Sequence, residues 1–382
     1  MEDLWQPLVD PPFVARVRAL VAAQVAPSAD RIDREDVFPY EAIGALAAAG
    51  MTAISIAPAH GGAGQGLAHN AALFEEVGVA SAAVATSLMT MLQAQTLLRL
   101  YGTDDQRSRW LPRLAAGLVA SFALTEPAQG SDIRSPATRA ERRGGRWVLD
   151  GHKTLVSSGS AAELFMVLAQ TDEGPAVFAV PRDAPGLSCE MSEDSAAFGL
   201  RNGGSVELML RGAELPEEAL VGSPGRGVRQ VATTLDETRV MAAALCVGVG
   251  RAAFDGALAY AQERIVYGQP VADHQGIRWY LADMLASLDA ARSLVYRAAR
   301  AGDEAGHESN DLARLSSEAK LIASRTAFEV ASQAVQICGA HGVREKSPFG
   351  RYLRDAKAYQ IGGGTSEVLR ETIARRLAPR RP

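Results

Sequence analysis

Cysteine is scarce in this chain, with three in 382 residues. Cys189, Cys246 and Cys338 are spaced for neither a zinc site nor a disulfide framework, so they read as reduced thiols, two of them inside apolar helical stretches. Histidine is thin as well: six are scattered along the chain with no His-Glu-x-x-His pattern, and no metal site is expected. No run of about 18 uncharged apolar residues occurs, so no membrane span is expected. The opening MEDLWQPLVD is acidic, without the basic start or apolar core of a secretory leader. Together these absences make a cytoplasmic location the expectation. Positive charge is in deficit, with 39 Lys and Arg against 44 Asp and Glu, a net charge of -5 and a pI near 5.8. There is no basic stripe, and nucleic acid is not the expected partner. Arg375, Arg376, Arg380 and Arg381 form a small basic tail that reads as a solvated terminus.

What is there is an ordinary globular composition, 47% hydrophobic and 22% charged, long enough for two or three packed domains. Residues 1–118 read as helical. Amphipathic or apolar stretches run from Pro12 to Val25, Tyr40 to Ala49, Leu67 to Ala80 and Ala83 to Tyr101, with a glycine-rich loop from Ser55 to Gly66. Residues 119–227 change texture. VASFALTE, RWVLDGHKTLVSS, AELFMVLAQ, AVFAV and VELMLRGA are short, rich in Val, Leu and Phe, and punctuated by Gly, Pro, Asp and Asn. That pattern predicts a small antiparallel β-domain, barrel-like. Residues 228–382 return to long helices, predicted over Glu237–Ile265, Asp273–Ala301, Asn310–Cys338 and Thr365–Leu377, which suggests a four-helix bundle. Gly248, Ala252 and Gly256 at four-residue spacing would let a neighbouring helix approach closely. The predicted fold is therefore α+β and mostly α: a helical domain, a small β-barrel, then a helical bundle.

The stretch ALTEPAQGSD, Ala123 to Asp132, ends a strand in a turn that offers backbone N–H groups and the hydroxyls of Thr125 and Ser131. Such a turn can hold an electron-poor ring or a phosphate. It resembles a signature of the acyl-CoA dehydrogenase superfamily. Four further stretches resemble signatures of the same family in the same order: RWVLDGHKTLVSSG, the segment from Thr234 through ERIVYGQPVADHQ, AVQICGAHGV and RDAKAYQIGGGTSEV. The resemblance covers nearly the whole chain.

It implies an enzyme that binds FAD non-covalently and oxidises an acyl thioester, of coenzyme A or of a carrier protein, between its α and β carbons. By it, Phe122, Leu124, Thr125, Gly130 and Ser131 line the flavin, and Leu155, Val156 and Ser157 form the flavin-contacting triplet. Arg264, Tyr267 and Gln275 reach the FAD of a neighbouring subunit, with Gln336 and Gly339 on its adenosine side. Thr365 and Glu367 cap the cofactor from the closing loop. Arg239 meets the substrate's pantetheine or nucleotide end, Ser131, Gly363 and Gly364 lie along the thioester, and Gln93 sits on the segment that lines the acyl pocket beside Thr90 and Gln95. The resemblance further implies a homo-oligomer, a tetramer or at least a dimer, with an electron-transfer flavoprotein or O2 as electron acceptor.

The chain departs from the family where the chemistry is sharpest. Thioester dehydrogenation needs a carboxylate to take the α-proton. The family places it two residues before the Thr of Gly-Thr-Ser, here Gly363, or just before the substrate arginine, here Thr238. Neither is acidic. Glu237, one residue earlier and about 100° round a helix, is the nearest substitute. Two lesser departures are Leu155, where many relatives carry tryptophan, and Ala340, which replaces a glycine. The alternatives are therefore a member with changed chemistry, a flavin oxygenase or a base-independent reaction such as desulfination, and a non-catalytic flavin-binding relic.

Overall fold

The computed structural model describes residues 4–191 and 197–377. Six helices come first: α1 (Pro11–Gln24), α2 (Ala29–Glu35), α3 (Tyr40–Ala48), α4 (Leu67–Ala80), α5 (Ala82–Tyr101) and α6 (Asp104–Ala115). Their starts follow from local chemistry. Asp10 caps α1 by accepting the Phe13 N–H at 3.1 Å, with Pro11 at the first position, where its missing N–H costs nothing. Ser81 caps α5 through the Val84 N–H, and Thr103 with Gln106 forms a reciprocal capping box on α6. α2 and α6 carry mixed charge with short apolar faces, and the sequence reading did not resolve them.

The middle of the chain is one eight-stranded sheet built from β1 (Ala120–Ala123), β2 (Arg139–Arg143), β3 (Arg146–Ser157), β4 (Leu164–Thr171), β5 (Gly174–Pro181), β6 (Leu187–Met191), β7 (Ser205–Pro216) and β8 (Leu220–Val221). The order is β6-β7-β3-β2-β4-β5-β8, with β1 also against β4. The sheet is mixed rather than antiparallel, because β1 and β2 both pair parallel with β4. Sequence periodicity reports which face a strand buries but not the direction of its neighbour.

The remainder is α7 (Gly227–Glu263), a hairpin of β9 (Ile265–Val266) and β10 (Gln269–Pro270), then α8 (Gln275–Ala305), α9 (Asn310–Cys338), α10 (Phe349–Ala358) and α11 (Ser366–Leu377). α7, α8 and α9 pack on one another, and α10 and α11 lie against α9. α7 begins ten residues before the predicted start. It contains an 18-residue window of mean hydropathy 1.4, yet 89% of that window is buried inside the protein, as in a core helix. Arg375 and Arg376 belong to the last turn of α11 rather than to a tail, and Arg380 and Arg381 lie outside the described residues.

The small residues of α7 meet two partners. A Cβ on Gly248 would stand 2.2 Å from the Glu75 carbonyl oxygen of α4, whereas one on Gly256 would meet the Phe349 ring of α10 at 3.2 Å. The α4–α7 crossing also holds a fully buried charge cluster. Glu75 accepts from Arg251 at 2.5 Å, from Arg292 at 2.7 Å and from the Tyr296 hydroxyl at 2.7 Å, so no charge there is left alone.

Candidate active site

The turn after β1 is fixed from beneath by a buried ion pair. Lys153 Nζ lies 2.7 Å from Glu126 Oε1 and also donates to the Leu124 carbonyl at 3.2 Å. Glu126 further accepts from the Ala137 N–H, the Thr138 N–H and the Thr138 hydroxyl. Burial alone would raise the Glu126 carboxyl, but the bonds from Lys153 and Thr138 outweigh it and hold it at about 2. Glu126 is thus a girder, and Thr125, Gly130 and Ser131 are left on the outer side, the last two exposed. The Thr154 N–H donates to the Thr125 carbonyl at 2.9 Å, and Ser121 Oγ to the Ser157 carbonyl at 2.6 Å. These bonds bring the triplet Leu155-Val156-Ser157 alongside the turn. A register shift in β3 between Lys153 and Val156 throws Leu155 out at φ 54°, 64% exposed, while Val156 is buried. Phe122 and Leu124 are half-buried on the same strand end.

A second group gathers at the closing loop between α10 and α11. Gly363 and Gly364 both have positive φ, 70° and 103°, which glycine tolerates best. Lys320 Nζ, on α9, donates to the Gly364 carbonyl at 2.6 Å. Arg239, on α7, lies beside the same residue: its Nη2 stands 3.8 Å from where a Gly364 Cβ would be. Its Nη1 donates to Asp236 at 2.7 Å, and its Nε is buried with no hydrogen-bond partner. The Thr365 hydroxyl caps α11 by accepting the Val368 N–H at 3.3 Å, and Glu367 is exposed, paired with Arg370 at 3.3 Å. Just before the loop, the Tyr359 hydroxyl is 2.8 Å from Thr86 Oγ1 of α5. Along α5, Gln95 is buried and spent on the Thr52 carbonyl at 2.7 Å, and the Thr90 hydroxyl on Ser87; Gln93 is half-buried.

The geometry weighs against Glu237 as a base. It is buried, but its carboxylate is occupied: Arg99 Nη2 donates at 2.8 and 2.9 Å, Thr96 Oγ1 at 2.9 Å, and His307 Nδ1 closes on Oε1. Burial would raise its pKa, yet His307 and Arg99 more than reverse that and hold it at about 2. A carboxylate so stabilised is a poor proton acceptor near neutral pH. Its partners come from α5 and from the link between α8 and α9, which its position in the sequence does not disclose. Thr238 is buried and donates to the Thr234 carbonyl at 2.8 Å. Among the described residues no group of three or more His, Cys, Asp or Glu side chains is placed to hold a metal.

The third group lies at one end of the bundle. Arg264 follows the last residue of α7, Tyr267 is 95% exposed at the tip of the β9–β10 hairpin, and Gln275 opens α8. Gln336 and Gly339, at the end of α9, are exposed as well. No hydrogen bond or ion pair among the described residues joins this group to the turn at Thr125. Sequence reasoning missed Lys153, Lys320, Arg99 and His307. Lys320 had a legible signal, since it interrupts a stripe of α9 otherwise made of Leu312, Leu315, Ala319, Ala323 and Ala327.

The donor set fits a flavin dinucleotide. The Ser158 hydroxyl is buried without a hydrogen-bond partner directly after the triplet, and an exposed leucine in a left-handed conformation offers an apolar edge beside it. Comparison with known proteins gives the family. The N-terminal, middle and C-terminal domain models of acyl-CoA dehydrogenases match residues 12–118, 121–212 and 225–378. An acyl-CoA dehydrogenase of Bacillus subtilis (strain 168) is 34% identical over 368 residues, covering 94% of this chain and 96% of its own. The butyryl-CoA dehydrogenase of Megasphaera elsdenii superposes with a TM-score of 0.93 at 29% identity, over 98% of this chain and 99% of its own. A glutaryl-CoA dehydrogenase from Mycobacterium smegmatis in complex with FADH2 superposes with a TM-score of 0.91 at 26% identity, over 99% of this chain and 96% of its own. With all three domains matched in order around these three groups of residues, the chain belongs to the acyl-CoA dehydrogenase family.

Proposed function

We propose that this chain holds FAD between the turn Thr125–Ser131, the triplet Leu155–Ser157 and the exposed bundle end of a second copy, and oxidises an acyl thioester there. The observation that carries the reading is the turn itself: a buried ion pair fixes its underside, and its hydroxyl- and N–H-bearing side faces outward beside the displaced Leu155. FAD supplies the two-electron acceptor. The chain supplies the rest. Thr125 and Ser131 offer hydroxyl hydrogen bonds, and Gly130 leaves room for close approach, since a Cβ there would meet nothing within 4 Å. Arg264, Tyr267, Gln275, Gln336 and Gly339 would serve the cofactor of a neighbouring subunit, which makes the working unit a homodimer or tetramer. Thr365 and Glu367 would close over it from α11. Arg239, with its free Nε, is placed to meet a polar part of the thioester, and the backbone of Gly363 and Gly364 to line it.

A second reading is favoured by one specific feature. Neither Thr238 nor Gly363 is a carboxylate, and Glu237 is consumed by Arg99 and His307. Chemistry that requires no enzyme carboxylate at the α-carbon, such as oxygenation at the reduced flavin or cleavage of a leaving group, fits that feature. One experiment separates the two. Purified holoenzyme is mixed anaerobically with a panel of acyl-CoA and acyl-carrier-protein thioesters, flavin absorbance is followed, and air is then admitted. Stoichiometric bleaching with an enoyl product supports dehydrogenation, passed on to an electron-transfer flavoprotein or to O2. A hydroxylated product formed only when the flavin is first reduced with dithionite and air is then admitted, or a cleaved product formed without flavin bleaching, supports the second reading. Neither bleaching of the oxidised flavin nor a new product from the reduced flavin with any thioester would refute both.

A further inference from the structure

A cavity of about 400 Å³ opens between α2, α10 and the segment 342–348 that leads into α10. Its lining carries five cationic side chains, Arg34, Arg344, Lys346, Arg351 and Arg354, against three carboxylates, Asp30, Asp33 and Glu345. Two of the carboxylates are already engaged: Asp30 lies 3.5 Å from Arg351 Nη2, and Asp33 accepts from Arg354 Nη1 at 2.9 Å. Arg34, Arg344 and Lys346 are exposed and have no ion-pair partner among the described residues, so the lining is left with a surplus of two positive charges.

Two buried polar atoms distinguish this cavity from a patch of solvated charge. Ser347 is 8% exposed and Arg351 9%, and Ser347 Oγ and Arg351 Nε are both buried with no hydrogen-bond partner. A buried polar atom normally has one. Both residues line the cavity at the start of α10, a ten-residue helix whose cap, Pro348, offers no side-chain hydrogen bond. The N–H groups of Phe349, Gly350 and Arg351 have no partner among the described residues. The first turn of a helix presents such N–H groups together with a partial positive charge. A hydroxyl, open first-turn N–H groups and three uncommitted cationic side chains on one cavity make a donor set for a doubly charged oxyanion.

We propose that this cavity binds a phosphate group, either inorganic phosphate or the monoester of a small molecule. Two negative charges match the surplus of two, and the remaining phosphate oxygens can take up Ser347 Oγ and the N–H groups of α10. No residue assigned above to FAD or to the thioester lines the cavity, so the proposal stands apart from the thioester reading.

The test is titration calorimetry on FAD-loaded enzyme at low ionic strength, with inorganic phosphate and with glycerol 3-phosphate. One phosphate group per chain should bind. Arg344→Gln combined with Lys346→Gln, both at exposed positions, should weaken binding at least tenfold. Ser347→Ala should weaken it several-fold and leave urea unfolding in phosphate-free buffer unchanged, since the hydroxyl it removes has no partner to lose. Tighter binding of glycerol 3-phosphate assigns a phosphate ester, and equal or tighter binding of the inorganic ion assigns free phosphate; either result supports the proposal. No binding, or binding that either variant leaves intact, overturns it. Displacement by butyryl-CoA overturns it too, because the phosphate would then occupy the place of the thioester's nucleotide end. Binding seen only after FAD is stripped likewise overturns it and gives the cavity to the cofactor's diphosphate.

Discussion

Replacing Glu237 by Gln is the most discriminating single change. The structure predicts a stability defect rather than a catalytic one. The substitution keeps the shape of the side chain but leaves Arg99 and His307 facing a neutral amide in a buried site. Removing one partner of a buried ion pair costs about 3–5 kcal/mol. The pKa gives an independent figure. A carboxyl held at about 2 rather than the ordinary 4.5 contributes roughly 3 kcal/mol at neutral pH. Arg99 and His307 are 20% and 36% exposed at their side chains, so water offsets part of the loss and the lower end of the range is expected. The sign follows from the depressed value: the contribution is complete above pH 4.5 and disappears as pH falls toward 2. Urea unfolding of wild type and Glu237→Gln across that interval should therefore show a gap at pH 7 that narrows in acid. Flavin reduction per bound FAD should change less than about tenfold, against the 10²–10⁴ expected for loss of a general base. A variant as stable as wild type but unable to reduce its flavin would refute this reasoning and restore Glu237 as the base.

Further expectations are independent of that one. Arg239→Ala should weaken thioester binding far more than FAD binding, measured by parallel titrations; equal loss of both would make the arginine structural. Lys153→Met leaves the buried Glu126 carboxylate with only the Ala137 and Thr138 hydrogen bonds and no countercharge, so the β-domain should lose about 3–5 kcal/mol and FAD should be released on gel filtration. Arg264→Ala should lower FAD retention without changing the unfolding of the β-domain, because its side chain is exposed on the bundle; retention at the wild-type level would remove the bundle end from the cofactor site. Gly248→Ala forces a Cβ to within 2.2 Å of the Glu75 carbonyl, and the α4–α7 crossing should lose about 1–3 kcal/mol in thermal or urea unfolding.

The sequence by itself determined the helix–sheet–helix organisation, most of the long elements, the ordered motifs and the lack of an acidic residue at Thr238 and Gly363. Those features are local: the apolar runs of α4 and α5, the periodicity of α9 and short glycine-bounded runs of Val, Leu and Phe are written within a few residues of the structure they form. Among the longer strands two escaped: RAERR carries no alternating apolar face, and the alternation of Leu187, Cys189 and Met191 in LSCEM spans only five residues; pairing with β3 and β7 holds them in place. The parallel contacts of β4 also escaped, since strand direction is a property of the pair. Tertiary structure alone decided what each buried charge does. In the sequence Glu237 is only the acidic residue nearest the base position, whereas in the structure Arg99 and His307 reach it from α5 and from the α8–α9 link. Glu126 and Lys153 became a girder only when β1 and β3 lay side by side. Lys320 was legible as a break in the apolar stripe of α9, but its partner, the Gly364 carbonyl of the closing loop, was set only by the packing of α9 against that loop. A side chain's type is local, but the partner that sets its charge and its work is chosen by the packing of segments far apart in the chain.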